Sequence, residues 1–338
     1  MSRPRDSDLE GRLLVPTPPA GLEALGEAPP FSIVIPTYQS ADTVGASVRS
    51  ALDQTHRAQE VIVVDDGSTD DVEGALQPFR DRIELVTKEN GGGASALNAG
   101  ARAASGEFLA ILDADDTYHP RRLEAMARLA AARPDLDLVT TDARFVVEGR
   151  GVGSLAADTP FATRGQRTAI FESCFVGGWP AVRIERLREV GWFDETLRTG
   201  YDWDCWMRVL LSGGGAGLVN EALYDYHLHA GSLTGSRVST LWDRVTLLEK
   251  AAGHPGLRRE ERPDLARAIR RHRSRAIIAE AHEMAGRPGS RTRFLRLAFS
   301  RGAAIGARLA ALLAATFPAL ARRMVPEDRP AEERLAAR

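Results

Sequence analysis

A chain of 338 residues with 43 % hydrophobic and 27 % charged side chains has ordinary globular composition, enough for one large or two modest domains. Its net charge of -2 argues against nucleic acid as a partner, and its two cysteines stand outside any C-x-x-C spacing, which excludes the common zinc and redox motifs. The net figure hides an asymmetry: residues 237–338 carry 22 basic and 11 acidic side chains, and residues 1–236 carry 22 and 35, which suggests two units with different partners.

In chain order, residues 1–30 are polar, hold six prolines and lack the apolar stretch of a secretory signal. They are expected to form a disordered leader on a reduced, cytoplasmic chain. Residues 31–35 are apolar and largely β-branched, which predicts a buried strand ended by Pro36. Val44, Val48 and Leu52 then recur at helical spacing, with Asp42 as the expected N-cap. Further strands are expected at 60–64, 83–86, 107–112 and 136–139, with helices at 94–104 and after Pro120. Helices are also expected at 185–190 and 201–211, and from Leu241 a series of them broken near Pro255 and Gly289.

Strands that are continuous apolar runs, alternating with helices, imply a parallel sheet covered on both faces. In such sheets ligands bind beyond the carboxyl ends of the strands. Pro36-Thr37-Tyr38, Asp65-Asp66 and Asp113-Ala114-Asp115 each follow a strand, so they are expected on one rim. Tyr38 there suits stacking on a base, and an acid after the second strand suits a base N–H. Acids at i and i+2 suit a divalent cation and a ribose hydroxyl, because hard cations take carboxylate oxygens. A solvated acidic turn accounts for the same spacing, and Ser68 or Asp70 accounts equally as a helix cap. Asn90-Gly91-Gly92-Gly93 allows close backbone approach at a helix N-terminus. It is not a dinucleotide fingerprint, because it follows the third strand and not the first.

Taken together, Ser32-Ile33-Val34-Ile35-Pro36-Thr37-Tyr38, Val64-Asp65-Asp66-Gly67-Ser68, Ala96-Leu97-Asn98-Ala99-Gly100 and Leu112-Asp113-Ala114-Asp115-Asp116 resemble the family 2 inverting glycosyltransferases. Gly191-Trp192-Phe193-Asp194-Glu195 and Asp202-Trp203-Asp204-Cys205-Trp206 extend the likeness over residues 31–236. The resemblance implies a GT-A type, Rossmann-like, mostly parallel α/β sheet with helices on both faces. A basic helical region over 237–325 and a disordered tail over 326–338 would follow it.

By the same resemblance, Pro36, Thr37, Tyr38 and Asp66 would hold the base of a nucleotide-sugar donor, with a uridine diphosphate sugar as the default. Asp113 would meet ribose or metal, and Asp115 would bind Mn²⁺ or Mg²⁺. Asp202 would be the catalytic base toward the hydroxyl of a carbohydrate or lipid-linked acceptor, in polysaccharide, cell-envelope or glycoconjugate synthesis. Tyr201 stands where the family usually has glutamate, which leaves an inactive nucleotide-sugar-binding module as the alternative. His229 is a candidate diphosphate contact, and His227 stands where the family usually has arginine. Trp179, Trp192, Trp203 and Trp206 are candidates for a sugar-stacking face or for the core. In the basic region, residues 309–321 are uncharged and apolar but short of the about 20 residues that span a bilayer. Packing on the catalytic domain or on a second subunit is expected of these helices, with peripheral contact at the inner face of the membrane as the alternative.

Overall fold

The structure, a computed structural model, describes residues 28–228, 237–287, 289–299 and 302–324. The contacts cluster into two units, Met1–His229 and Ala230–Arg338. The expected tail and all but three residues of the expected leader lie outside the described residues.

The first unit begins β1 (Phe31–Thr37), α1 (Val44–Leu52), β2 (Glu60–Asp65), α2 (Val72–Leu76), β3 (Glu84–Thr87), α3 (Gly93–Ala103) and β4 (Phe108–Ile111). It continues with β5 (Thr117–Tyr118), α4 (Arg122–Ala132), β6 (Leu138–Val147), β7 (Arg150–Ser154), α5 (Leu155–Asp158), α6 (Gln166–Glu172), β8 (Ala181–Arg183), α7 (Ile184–Glu189), α8 (Tyr201–Leu211) and β9 (Ala216–His227). The nine strands of the described residues join one sheet in the order β3-β2-β1-β4-β8-β6-β9-β5, with β7 paired to β6. The sheet is parallel from β3 through β4 and mixed beyond, where β8 runs antiparallel between β4 and β6, and β6 and β9 run parallel.

Strand period two divides the apolar runs between the two faces of the sheet. Ile33, Ile35, Val61 and Val63 join one buried cluster with Val44 and Val48 of α1, Leu76 of α2 and Leu123 and Met126 of α4. On the opposite face α3 lies against β1 and β2. A Cβ on Gly100 would meet Val34 Cγ1 at 2.5 Å, so only glycine allows that approach. Each of these buried aliphatic side chains contributes about 1.5–3 kcal/mol through area removed from water.

Local details differ from expectation. Thr43, not Asp42, is the N-cap of α1, and its side chain makes no capping bond. The reason is the preceding turn, in which Ser40 O already accepts from the backbone of Thr43 and Val44 at 3.1 and 2.9 Å. Neither Ser68 nor Asp70 caps α2. Asp71 does, accepting from Gly74 N at 3.0 Å, while Asp70 reaches Ala41 N at 2.8 Å. The strand expected at 136–139 is β6, which starts at Leu138 and extends through Val147.

The second unit is helical: α9 (Arg237–Ala251), α10 (Arg262–Met284), α11 (Ser290–Ala298), α12 (Ile305–Thr316) and α13 (Pro318–Met324). The chain breaks fall near Pro255 and Gly289, as expected. Among the described residues, no helix is long and apolar enough to cross a membrane.

Candidate active site

The carboxyl ends of β1, β2 and β4 form one rim. Thr37 pairs with Asp65 across β1 and β2, and Leu112 N donates to Val34 O as the chain leaves β4. Thr37 is buried, and Tyr38 beyond it is 51 % exposed, a ring presented to solvent at the rim. Gln39, at φ +52°, fastens this loop to the one after β2. Its side-chain oxygen accepts from Thr69 N at 2.8 Å, and its backbone N–H donates to Ser68 Oγ at 3.1 Å.

Asp66 is buried, 2 % exposed. Its carboxylate accepts from Lys88 Nζ at 2.5 Å, from Gly91 N at 3.0 and 3.2 Å, and from Gly92 N at 2.7 Å. The third strand's loop is thereby fixed to the second strand's loop. Gly67, at φ +75°, permits the approach: a Cβ there would stand 2.8 Å from Asn90 N. Three donors thus make four contacts, two on each carboxylate oxygen.

The acidic run divides sharply. Asp116 has no exposed surface; it accepts from Tyr224 Oη at 2.7 Å and from His227 N at 2.8 Å. Burial first, then Asp113 and Asp115, push its carboxyl up to about 9. It therefore ties β9 to the end of β4 and is a structural acid. Asp113 and Asp115 are part-buried at the rim. Asp113 Oδ2 accepts from Trp179 Nε1 at 2.8 Å, which favours its charged form. Burial, Asp115 and Asp202 oppose this more strongly and push Asp113 up to about 7.

Asp202, in the first turn of α8, thus shares its field with Asp113; its Oδ2 lies 3.1 Å from where a Cβ on Gly178 would be. Asp204, the other acid of that turn, is buried and pairs with Arg208 at 2.8 Å. Tyr201 packs its hydroxyl over the start of α3, and a Cβ on Gly93 would stand 2.4 Å from its Oη. Burial, with Asp113 and Asp202 near, holds this phenol far above its ordinary range, so Tyr201 is a neutral side chain in a carboxylate-rich site.

Arg122, Trp179 and the motif residue Asn98 support the rim. Arg122 is buried with its guanidinium 4.7 Å from the ring centres of both Tyr118 and Tyr224, and it donates to Trp179 O at 2.6 Å. Trp179 stacks on Tyr224 at 4.7 Å. Asn98 of α3 donates to Phe193 O at 2.9 Å and to Glu195 Oε1 at 2.8 Å, and accepts from Phe193 N at 2.9 Å. That joins two of the sequence motifs into one unit. Both polar residues carry a legible signal: Asn98 and Arg122 sit on the apolar faces of their helices, in step with Ala94 and Ala101, and with Met126 and Leu129.

Of the tryptophans, Trp203 and Trp206 are core, donating to Ile170 O and Gly177 O. Trp192 carries the guanidinium groups of Arg102 and Arg188 on its ring, and Trp179 is the one at the acidic site. His229 lies outside the described residues.

Among the described residues, no three His, Cys, Asp or Glu side chains draw together as a complete metal cage. The donor set nonetheless suits a hard divalent cation of the kind held by one or two carboxylates plus substrate phosphates. Asp113 and Asp115 offer oxygen ligands, and the charge excess that raises Asp113 is what such a cation would offset.

The model described as glycosyl transferase family 2 matches residues 32–191. The succinoglycan biosynthesis protein ExoO of Rhizobium meliloti is 32 % identical over 277 residues, covering 75 % of each chain. The uncharacterized glycosyltransferase RP339 of Rickettsia prowazekii is 27 % identical over 219 residues, 63 % of this chain and 69 % of that one. Among solved structures, S. aureus TarS 1-349 in complex with UDP-GlcNAc superposes with a TM-score of 0.66 at 19 % identity, covering 88 % of this chain and 90 % of that one. The mannosyltransferase PcManGT of Pyrobaculum calidifontis, in complex with GDP-Man and Mn²⁺, gives 0.55 at 19 % identity, covering 92 % and 90 %. These two likenesses concern the fold, which is that of GT-A glycosyltransferases. By its family match and its likeness to ExoO across three quarters of both chains, the chain belongs to glycosyl transferase family 2 and is a glycosyltransferase.

Proposed function

We propose that this glycosyltransferase moves a sugar from a nucleotide-sugar donor, in the first instance a uridine diphosphate sugar, to an acceptor hydroxyl in cell-envelope or extracellular polysaccharide synthesis. The observation that carries the reading is the gathering of Asp113, Asp115 and Asp202 at one rim, with the exposed ring of Tyr38 on the same edge of the sheet. The UDP-GlcNAc complex of TarS and the succinoglycan role in ExoO's name support the donor and the acceptor class.

In this reading Tyr38 stacks on the base, beside backbone atoms of Pro36 and Thr37. Asp66 meets a base N–H. Asp113 meets the ribose. Mn²⁺ or Mg²⁺, held by Asp115 with Asp113 beside it, would supply positive charge to the diphosphate oxygens; the Mn²⁺ complex of PcManGT supports that cofactor. Asp202 accepts the proton of the acceptor hydroxyl as its oxygen attacks the anomeric carbon. The bond to the diphosphate breaks on the opposite face, with inversion. General-base help of this kind contributes roughly 10²–10⁴-fold. With Tyr201 neutral and Asp204 paired to Arg208, Asp202 is the acid of its motif assigned to the acceptor.

The test is a panel of UDP-, GDP- and dTDP-sugars incubated with the purified chain and Mn²⁺, following release of nucleoside diphosphate. Turnover of at least one donor supports the enzyme. Tight donor binding without any turnover, with or without added acceptor sugars, would favour the binding module instead.

A further inference from the structure

The helical unit carries a second feature, independent of the catalytic rim. Eight large apolar side chains of the described residues are markedly exposed, and seven of them lie between Leu295 and Leu320. The helix α12 is inside out. It turns Ala307, Ala311, Ala314 and Ala315 inward against α10 and α11, while Ile305, Leu309 and Leu312 point outward at 74, 59 and 37 % exposure. Spacings of four and three put those three on one stripe. Phe299 and Phe317, before and after the helix, are 73 and 62 % exposed. A soluble helix normally buries its large side chains and shows its small ones, and clustered exposed apolar groups of this size mark an interaction surface.

Charge identifies the occupant. From Met284 to Pro326 the chain holds eight arginines and no acidic residue. Arg287, Arg291 and Arg296 are exposed. Phenylalanine, leucine and isoleucine facing outward beside arginines, on helices too short to span, match a surface that offers hydrocarbon under anionic headgroups. We propose that the outward face of α11, α12 and α13 docks on an anionic phospholipid surface, with Ile305, Leu309, Phe299 and Phe317 entering the acyl boundary and the arginines meeting lipid phosphates.

The test is flotation of the full chain with phosphatidylcholine vesicles, with and without phosphatidylglycerol. The chain is expected to float with phosphatidylglycerol, less so as salt rises, and to stay behind with phosphatidylcholine alone. L309S/L312S and R291Q/R296Q should each lower the bound fraction roughly tenfold. Both variants should keep the thermal melt and the donor turnover of the parent, because these side chains are exposed. Ile305→Ala provides a milder probe should the double variant melt early, with a smaller loss of the same sign. Absence of flotation with phosphatidylglycerol overturns the proposal, as does equal flotation of parent and variants. Light scattering that shows a dimer in solution, dissolved by L309S/L312S, reassigns the face to a second copy and overturns it as well.

Discussion

Trp179 donates its indole N–H to Asp113 at 2.8 Å while its ring lies flat on Tyr224, 4.7 Å away. One residue from the segment before β8 thus holds an acid after β4 and favours its charged form. Its hydrogen bond lowers Asp113 against burial and two neighbouring acids, which together leave it at about 7. Trp179→Phe keeps the stack and removes the donor. The acid limb of the pH–rate profile should move upward by about half to one unit, and the thermal melt should change by about 1 kcal/mol or less. An unmoved acid limb would show that the indole does not tune Asp113.

Asp116 makes the opposite kind of prediction. Its folded-state carboxyl stands at about 9, far above the unfolded value. Between those values the unfolded chain ionises this group and the folded chain keeps the proton, so folding weakens as pH rises through the window from about 4 to 9. Asp116→Asn removes the titration and should flatten that fall by on the order of 1–3 kcal/mol. Urea melts at pH 5, 7 and 9 measure it. Parallel slopes for parent and variant would rule out a raised Asp116.

Asn98 binds both backbone groups of Phe193 and the carboxylate of Glu195 from a buried position. Asn98→Ala leaves the Phe193 N–H and C=O without those partners and should cost about 2–4 kcal/mol in urea unfolding. A loss below about 1 kcal/mol would mean that water replaces the amide.

The metal proposed at the same acids is open to calorimetry. Asp115→Ala should lower Mn²⁺-dependent binding of a nucleoside diphosphate roughly tenfold or more by calorimetry. Equal affinity with and without Mn²⁺ in the parent would remove the metal from the account.

Much of this was legible in the chain. Apolar runs bounded by turn residues predict β1 to β4, and the rule for ligands at strand ends puts Tyr38, Asp66, Asp113 and Asp115 on one rim. Three features were not legible, each for a physical reason. The long pairing of β6 with β9 joins residues about 80 positions apart and buries Thr140, Thr141 and Asp142, so it has no apolar alternation to announce it. The strand β5 is two residues long, set by its pairing to β9 and not by local preference. The separate fates of Asp113, Asp115 and Asp116 depend on Trp179, Tyr224 and His227, which no local pattern ties to the acidic run.

Asp202 is proposed as the base of a single displacement. Asp202→Asn keeps the size of the side chain and removes its ability to take a proton. The most direct measurement is kcat for transfer by this variant, beside its donor Kd from calorimetry. The expected result is a kcat lower by roughly 10²–10⁴-fold with donor Kd changed less than about threefold. Undiminished kcat at unchanged Kd would contradict it.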